Sequence, residues 1–271
     1  MADQSASNHF IFNYESTPQV KSQLITRKRT AANMSEIQIH TIPILPFGMV
    51  NAFLLTSATG AVLVDTGLPG SERKIEKVLA AAGRSLADLR LIVVTHGHID
   101  HAGCAARLRK ITGAPVVLHE ADLAYCQGKT PILRPSGFFG RLFKMTGVIE
   151  RPFPAVEPDI LLSGEQTLDL SAYGLAGDIL PTPGHTPGSL SVLLEDGAVI
   201  AGDLAASGIL LGGIAFKGWP KPPPFEEDTL QVARSLKILL SKGAKRFYLG
   251  HGGPLDAEVI ERYAGKLAQT A

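Results

Sequence analysis

The chain has 271 residues, a formal net charge of +1, and 45% hydrophobic against 19% charged residues. That is enough chain for one large domain or two small ones with a sizeable core, and the near-neutral balance argues against nucleic acid or anionic membrane as a partner. Two cysteines, Cys104 and Cys126, cannot staple a fold of this length and lack zinc-type spacing, so they read as reduced core or surface thiols. No apolar run is long enough to span a bilayer. The start has neither a basic nor an apolar signal region, so the expectation is a soluble, cytoplasmic protein.

Residues 1–33 are polar and end near the basic cluster Arg27-Lys28-Arg29; they read as a tail or extension, with residues 34–271 as the folded domain. Alternating apolar patterning begins at Ile37. Val50–Thr56 and Ala61–Asp65 read as short strands joined by a hairpin turn at Ala58-Thr59-Gly60. Ser71–Ala82 places Ile75, Val78, Leu79 and Ala82 on one helical face, with Gly83 as its stop. Leu91–Val94 is a fully apolar strand, Ala102–Ile111 reads as a helix, and Pro115–Leu118 as a further strand. Residues 189–194 and 198–202 form a second strand pair turned by Glu195-Asp196-Gly197. The amphipathic helices Glu226–Leu240 and Asp256–Leu267 flank the strand Arg246–Leu249. Hairpins mixed with crossovers predict an α/β fold of two sheets with helices outside. Gly128–Pro158 and Ala205–Phe225 break the rhythm, yet their apolar content disfavours disorder.

The densest chemistry is His96-Gly97-His98-Ile99-Asp100-His101, directly after an apolar strand. Four titratable groups knotted at a strand end would desolvate badly as a core cluster, whereas a divalent metal takes neutral imidazoles and ionised carboxylates as ligands. Three later strand ends offer matching groups: His185 in Thr182-Pro183-Gly184-His185-Thr186-Pro187-Gly188, Asp203 after Gly202, and His251 in Gly250-His251-Gly252. Convergence of all of them at one sheet edge is expected. His119 lacks a motif partner and reads as a helix-start or surface residue; His9 and His40 receive no role.

With this HxHxDH signature and the ordered His185, Asp203 and His251, the chain resembles the metallo-β-lactamase superfamily from about Ile37 to Ile260. The resemblance implies a four-layer αββα sandwich of two mixed β-sheets with helices on the outer faces. It implies one metal on His96, His98 and His185, a second on Asp100, His101 and His251, and Asp203 as the bridge. Asp65, in Val64-Asp65-Thr66-Gly67, would accept the free N–H of a ligand imidazole and fix its tautomer. Zinc suits these nitrogen and carboxylate ligands best, and iron or manganese is also accepted.

The function these residues imply is hydrolysis of a small-molecule ester, thioester or lactone. A hydroxide bridging two metals would attack the acyl carbon, with Asp100 orienting it or accepting its proton. A bridging Asp203 and the absent signal region resemble the thioesterase and lactonase branches rather than exported β-lactamases, and the low charge weakens a nuclease or phosphodiesterase reading. A mononuclear iron dioxygenase acting on a persulfide is the main alternative, and a non-catalytic binding module the remaining one. Phe138, Phe139, Phe143, Ile209, Leu211, Phe216 and Trp219, in the two apolar segments, are expected to wall a pocket for an apolar part of the substrate. Ordinary packing or a homodimer contact would use them equally well.

Overall fold

Seven consecutive buried residues are hard to explain by one sheet face, and their alternation shows why both faces are covered. The computed structural model describes residues 36–209 and 214–270; the expected tail at 1–33 and the residue Leu211 lie outside them. The first sheet runs β1 (Gln38–Leu45), β2 (Val50–Thr56), β3 (Ala61–Val64), β4 (Leu89–Val93), β5 (Val116–His119) and β6 (Ile160–Leu162), in that order. Its first three strands pair antiparallel and the rest parallel. In β2, Ala52 and Leu54 face one way, against Ile75 and Leu79 of α1 (Glu72–Ala81) and Leu108 on a helix after β4. Phe53 and Leu55 face the other way, toward the second sheet.

That second sheet is built from β7 (Leu168–Asp169), β8 (Gly177–Pro181), β9 (Leu190–Leu194), β10 (Ala198–Ile200), β13 (Arg246–Tyr248) and β14 (Leu255–Asp256), in the spatial order β14-β13-β10-β9-β8-β7. A small ribbon, β11 (Ala206–Ser207) with β12 (Pro220–Lys221), lies between them in sequence. Ile179, Val192 and Ile200 meet Phe53, Val62 and Leu91 across the inter-sheet layer. On the outer face, Val199 and Phe247 pack on Val232 and Leu236 of α6 (Thr229–Ser241) and Ile260 of α7 (Ala257–Thr270). Each such fully buried aliphatic or aromatic side chain contributes about 1.5–3 kcal/mol from leaving water. Three apolar layers separate four layers of structure, so the αββα sandwich follows from burial alone.

Four local differences have physical causes. The helix expected over Ala102–Ile111 is broken into α2 (Ile99–Ala102) and α3 (Ala105–Thr112). Gly103, in the gap, sits so tightly that a Cβ there would lie 2.6 Å from Pro69. The helix expected from Glu226 starts instead at Thr229, because the Asp228 carboxylate accepts the Gln231 amide at 2.9 Å and caps it there. After α4 (Leu123–Cys126), the stretch Gly128–Pro158 that breaks the rhythm of the sequence contains an eight-residue helix, α5 (Gly137–Lys144). His119 does start a helical turn, its Nδ1 accepting the Ala121 amide, but it is buried rather than on the surface, with Nε2 3.0 Å from the Gly164 carbonyl. Both cysteines are buried and unbridged, and burial pushes the Cys104 thiol up to about 11. No helix among the described residues is long and apolar enough to cross a membrane.

Candidate metal centre

The site is assembled where strands of both sheets end. Beyond β4, His96, His98, Asp100 and His101 occupy the loop and the single turn of α2; His185 lies in the β8–β9 turn; Asp203 follows β10; His251 follows β13. All seven side chains are buried. Three clusters of them each bring their ligand atoms within 4.8 Å of one another: His96 with His98 and His185, His96 with His101 and Asp203, and Asp100 with His101 and His251.

One carboxylate oxygen faces both halves of the set. Asp203 Oδ2 lies 4.0 Å from His96 Nε2 and 3.7 Å from His185 Nε2 on one side, and 2.9 Å from His251 Nε2 on the other. Its Oδ1 lies 3.5 Å from His101 Nε2, and Asp100 Oδ2 is 3.6 Å from His251 Nε2. Ligand atoms around a tetrahedral ion with bonds of about 2.1 Å stand about 3.4 Å apart, so these separations suit a shared cation. Six of the ten buried side-chain polar atoms that lack a hydrogen-bond partner among the described residues belong here, including His96 Nε2, His101 Nε2, Asp100 Oδ1 and Asp203 Oδ1. Lone pairs buried together without donors are costly. A divalent metal satisfies them, so the residues present fit such an ion.

The imidazoles are turned by partners behind them. His101 Nδ1 lies 2.8 Å from Asp65 Oδ2, and the same carboxylate accepts the Thr95 amide at 2.8 Å and the Thr95 hydroxyl. His96 Nδ1 contacts that hydroxyl at 3.0 Å, which leaves Nε2 of both rings bare toward Asp203. His251 Nδ1 donates to the Met49 carbonyl at 2.5 Å. Asp65 has φ +61°, a left-handed conformation, and buys its place at the end of β3 by this network. Gly250 is required for a different reason: a Cβ there would lie 2.2 Å from Asp203 Oδ1.

Charge follows burial and neighbours. Burial, helped by neighbouring imidazoles, holds His96 well below the ordinary histidine range. Burial also takes His98 and His185 down to about 3, so these rings present lone pairs at neutral pH. Burial pushes His101 down too, but Asp203, Asp65 and Asp100 overcome it and raise the ring to about 10. Burial would raise the Asp203 carboxyl, yet His251 and His101 hold it well below the carboxylate range.

Sequence reasoning missed Asp122. Its buried carboxylate accepts the Gly97 amide, the Gly188 amide and the Thr186 hydroxyl, each at 2.8 Å, tying the hexapeptide loop to the His185 turn. Asn51 was missed as well; its side-chain amide donates to the Leu249 and Gly252 carbonyls at 3.1 Å and braces the His251 loop. The expected apolar wall is present only in part. Phe143 lines the space over the ligands, with Ile149, Pro224 and Phe225. Phe138, Ile209, Phe216 and Trp219 are exposed instead and do not line that space. The Phe139 side chain, like Leu211, lies outside what is described. The roofed space measures only about 10 Å³, and the Phe143 and Phe225 rings stand 5.9 Å apart above it.

A two-sheet sandwich with this edge cluster defines a class, and the family model of the metallo-β-lactamase superfamily matches residues 45–251. The chain belongs to that superfamily. It is 27% identical over 219 residues, 73% of this chain and 77% of the relative, to a Bacillus subtilis (strain 168) protein named Probable metallo-hydrolase YflN. A hydroxyacylglutathione hydrolase of Anaeromyxobacter dehalogenans (strain 2CP-C) is 32% identical over 152 residues, 56% of this chain and 44% of that protein. Among solved structures, the metallo-β-lactamase family protein TTHA1429 from Thermus thermophilus aligns with a TM-score of 0.61 and 26% identity, over 86% of this chain and 78% of its own.

Proposed function

We propose that the protein is a hydrolase of a small acyl compound, an ester, thioester or lactone, working with two divalent ions, zinc by preference. The observation that carries this reading is Asp203 Oδ2, which faces His96 and His185 on one side and His251 on the other. His96, His98 and His185 would hold one ion, and Asp100, His101 and His251 the other. Bound divalent ions supply Lewis acidity and lower the pKa of water toward about 7. Asp100 would orient a nucleophile or take its proton, a role supported by its buried Oδ1, which has no hydrogen-bond partner among the described residues. Phe143, Ile149 and Phe225 exclude bulk water from the acyl carbon and favour a substrate with an apolar portion. The name of the Anaeromyxobacter relative supports a thioester among the candidates.

The test is elemental analysis of the purified protein paired with a chelator-sensitive screen of thioesters, lactones, phosphodiesters and β-lactams. Two zinc-like ions per chain with acyl hydrolysis is the expected result. One iron per chain with persulfide-dependent oxygen uptake would overturn it.

A further inference from the structure

An ion held by His96, His98 and His185 would draw its ligands from two loops far apart in sequence, and the spacing of those loops then sets the spacing of the ligands. His98 Nδ1 and His185 Nε2 stand 3.1 Å apart. The Asp122 carboxylate ties the two loops on one side. Beyond it on α4, Tyr125 meets the hexapeptide again. A Cβ on Gly97 would lie 2.6 Å from Tyr125 Cβ, so the stem of this side chain rests directly on the backbone between His96 and His98. Tyr125 is buried, and its hydroxyl donates to Glu227 Oε1 at 3.0 Å. Burial, with Glu227 beside it, pushes that hydroxyl up to about 12, so it remains a donor at neutral pH.

Glu227 carries the connection to the other loop through its backbone. Its amide donates to the His185 carbonyl at 3.2 Å, and the Asp228 amide donates to the Gly184 carbonyl at 2.9 Å. The Glu227 carbonyl accepts the Arg134 guanidinium at 2.8 Å. Arg134 in turn belongs to the short pairing that carries Phe225 over the ligands. Its carbonyl accepts the Glu226 amide at 3.1 Å, the Pro224 carbonyl accepts the Ser136 amide at 2.8 Å, and Pro135 stands opposite Phe225. Tyr125 and Glu227 thus join three parts of the site that the chain supplies separately: the hexapeptide loop, the His185 turn and the aromatic roof. Groups that stand behind metal ligands set the orientation of those ligands and the affinity of the site.

We propose that Tyr125 and Glu227 are positioning residues, whose hydrogen bond holds the His185 imidazole in place against His96 and His98. The proposal rests on the metal-binding part of the reading above, and adds to it a pair that touches neither ion nor substrate. The pair acts separately from Asp122, which reaches the Gly97 and Gly188 amides and the Thr186 hydroxyl but not Tyr125 or Glu227 through hydrogen bonds.

The test is titration of the full chain with cobalt(II), read by visible absorption and by competition with a chelator, alongside the melting temperature of the metal-free protein. Tyr125→Phe and Glu227→Ala are each expected to weaken cobalt binding about 10–100-fold and to shift the visible bands at saturating cobalt. The double variant should bind no more weakly than either single one, since both remove the same bond. Glu227→Gln keeps an acceptor oxygen while losing the charge that faces Arg134 and Lys129, and it should retain the wild-type bands and affinity. Wild-type bands and affinity in Tyr125→Phe and Glu227→Ala, with only the metal-free melt lowered, would make the pair structural and overturn the proposal. So would a Glu227→Gln variant as impaired as Glu227→Ala, which would place the effect on charge. A wild-type chain that takes up no cobalt would remove the metal centre together with the pair's role, a failure visible before any variant is made.

Discussion

The Asp122 carboxylate accepts the Gly97 amide at 2.8 Å, so a residue that follows β5 holds the middle of the histidine hexapeptide in place. The same side chain accepts the Gly188 amide, and a Cβ on Gly188 would lie 2.6 Å from Asp122 Oδ1. Asp122→Ala leaves these buried amides without partners, at about 1–3 kcal/mol each. The expected outcome is a lower denaturation midpoint together with metal affinity reduced about 10–100-fold, as for other groups that orient ligands. Metal competition against a chromogenic chelator checks it; unchanged affinity would separate Asp122 from the site.

Asp65→Asn distinguishes charge from backbone. Asn tolerates the left-handed φ of +61° as well as Asp does, so the turn survives. The carboxylate that receives His101 Nδ1 is lost, and ring orientation with it. Metal affinity is expected to fall about 10–100-fold, and the metal-free protein also melts lower because His101 loses its buried carboxylate partner. Equal affinity for the variant and the wild type would refute the role given to Asp65.

Gly250→Ala tests the tightest contact in the centre. The added methyl would sit 2.2 Å from Asp203 Oδ1 and 2.5 Å from His101 Cε1, with no flexible tail to yield. Turnover on any substrate found in the screen should drop at least about a hundredfold, in keeping with the cost of displacing a group at the chemistry by about 1 Å. A crystal structure of the variant with Asp203 unmoved would sink this prediction.

Metal removal should be visible as heat stability. If free metal stands about a hundredfold above its dissociation constant, binding adds about 2.7 kcal/mol to the folded state. For a chain of this size the melting temperature should fall about 5–10 °C on adding EDTA and return with zinc. A melt indifferent to both would mean that the cluster holds no ion.

Glu226 supplies a pH dependence away from the ligands. Burial raises its carboxyl from 4.5 to about 6, outweighing the Thr229 side chain, which lowers it. The folded value lies above the unfolded one, so this contribution is complete below about pH 4.5 and is lost as pH rises through about 6. The gap corresponds to about 2 kcal/mol. Glu226→Gln should therefore be more stable than wild type by about that amount at about pH 8, and the two should converge near about pH 4.5. Urea titrations at both values decide it; parallel curves at all pH would reject the assignment.

The candidate ligand residues were legible in the sequence because each stands beside a short apolar strand, His185 just before one and the others after, with Gly or Pro close by, a pattern visible without coordinates. Asp122 was not legible because its partners are backbone amides of Gly97 and Gly188, and nothing in an isolated Glu-Ala-Asp reports which amides come near. Strand β8 escaped notice since Gly177 and Pro181 at its ends read as turn residues, while its central Ile179 and Leu180 are too short a run to declare a period. The break between α2 and α3 reflects Gly103 against Pro69, a contact between distant turns. Apolar content located Phe143 and Phe138 alike. Hydrophobicity could not tell that the first covers the ligands while the second faces outward.

The ceiling of aromatic rings above the ligands has a kinetic consequence. The space lined by Phe143 and Phe225 is about 10 Å³, so a substrate of the proposed hydrolysis would need the two rings to part before it met Asp203. If the protein hydrolyses acyl compounds as proposed, the parting of these rings would limit turnover, and a solution thickened with sucrose should slow it. Exchanging one leaving group for a more reactive one should scarcely register.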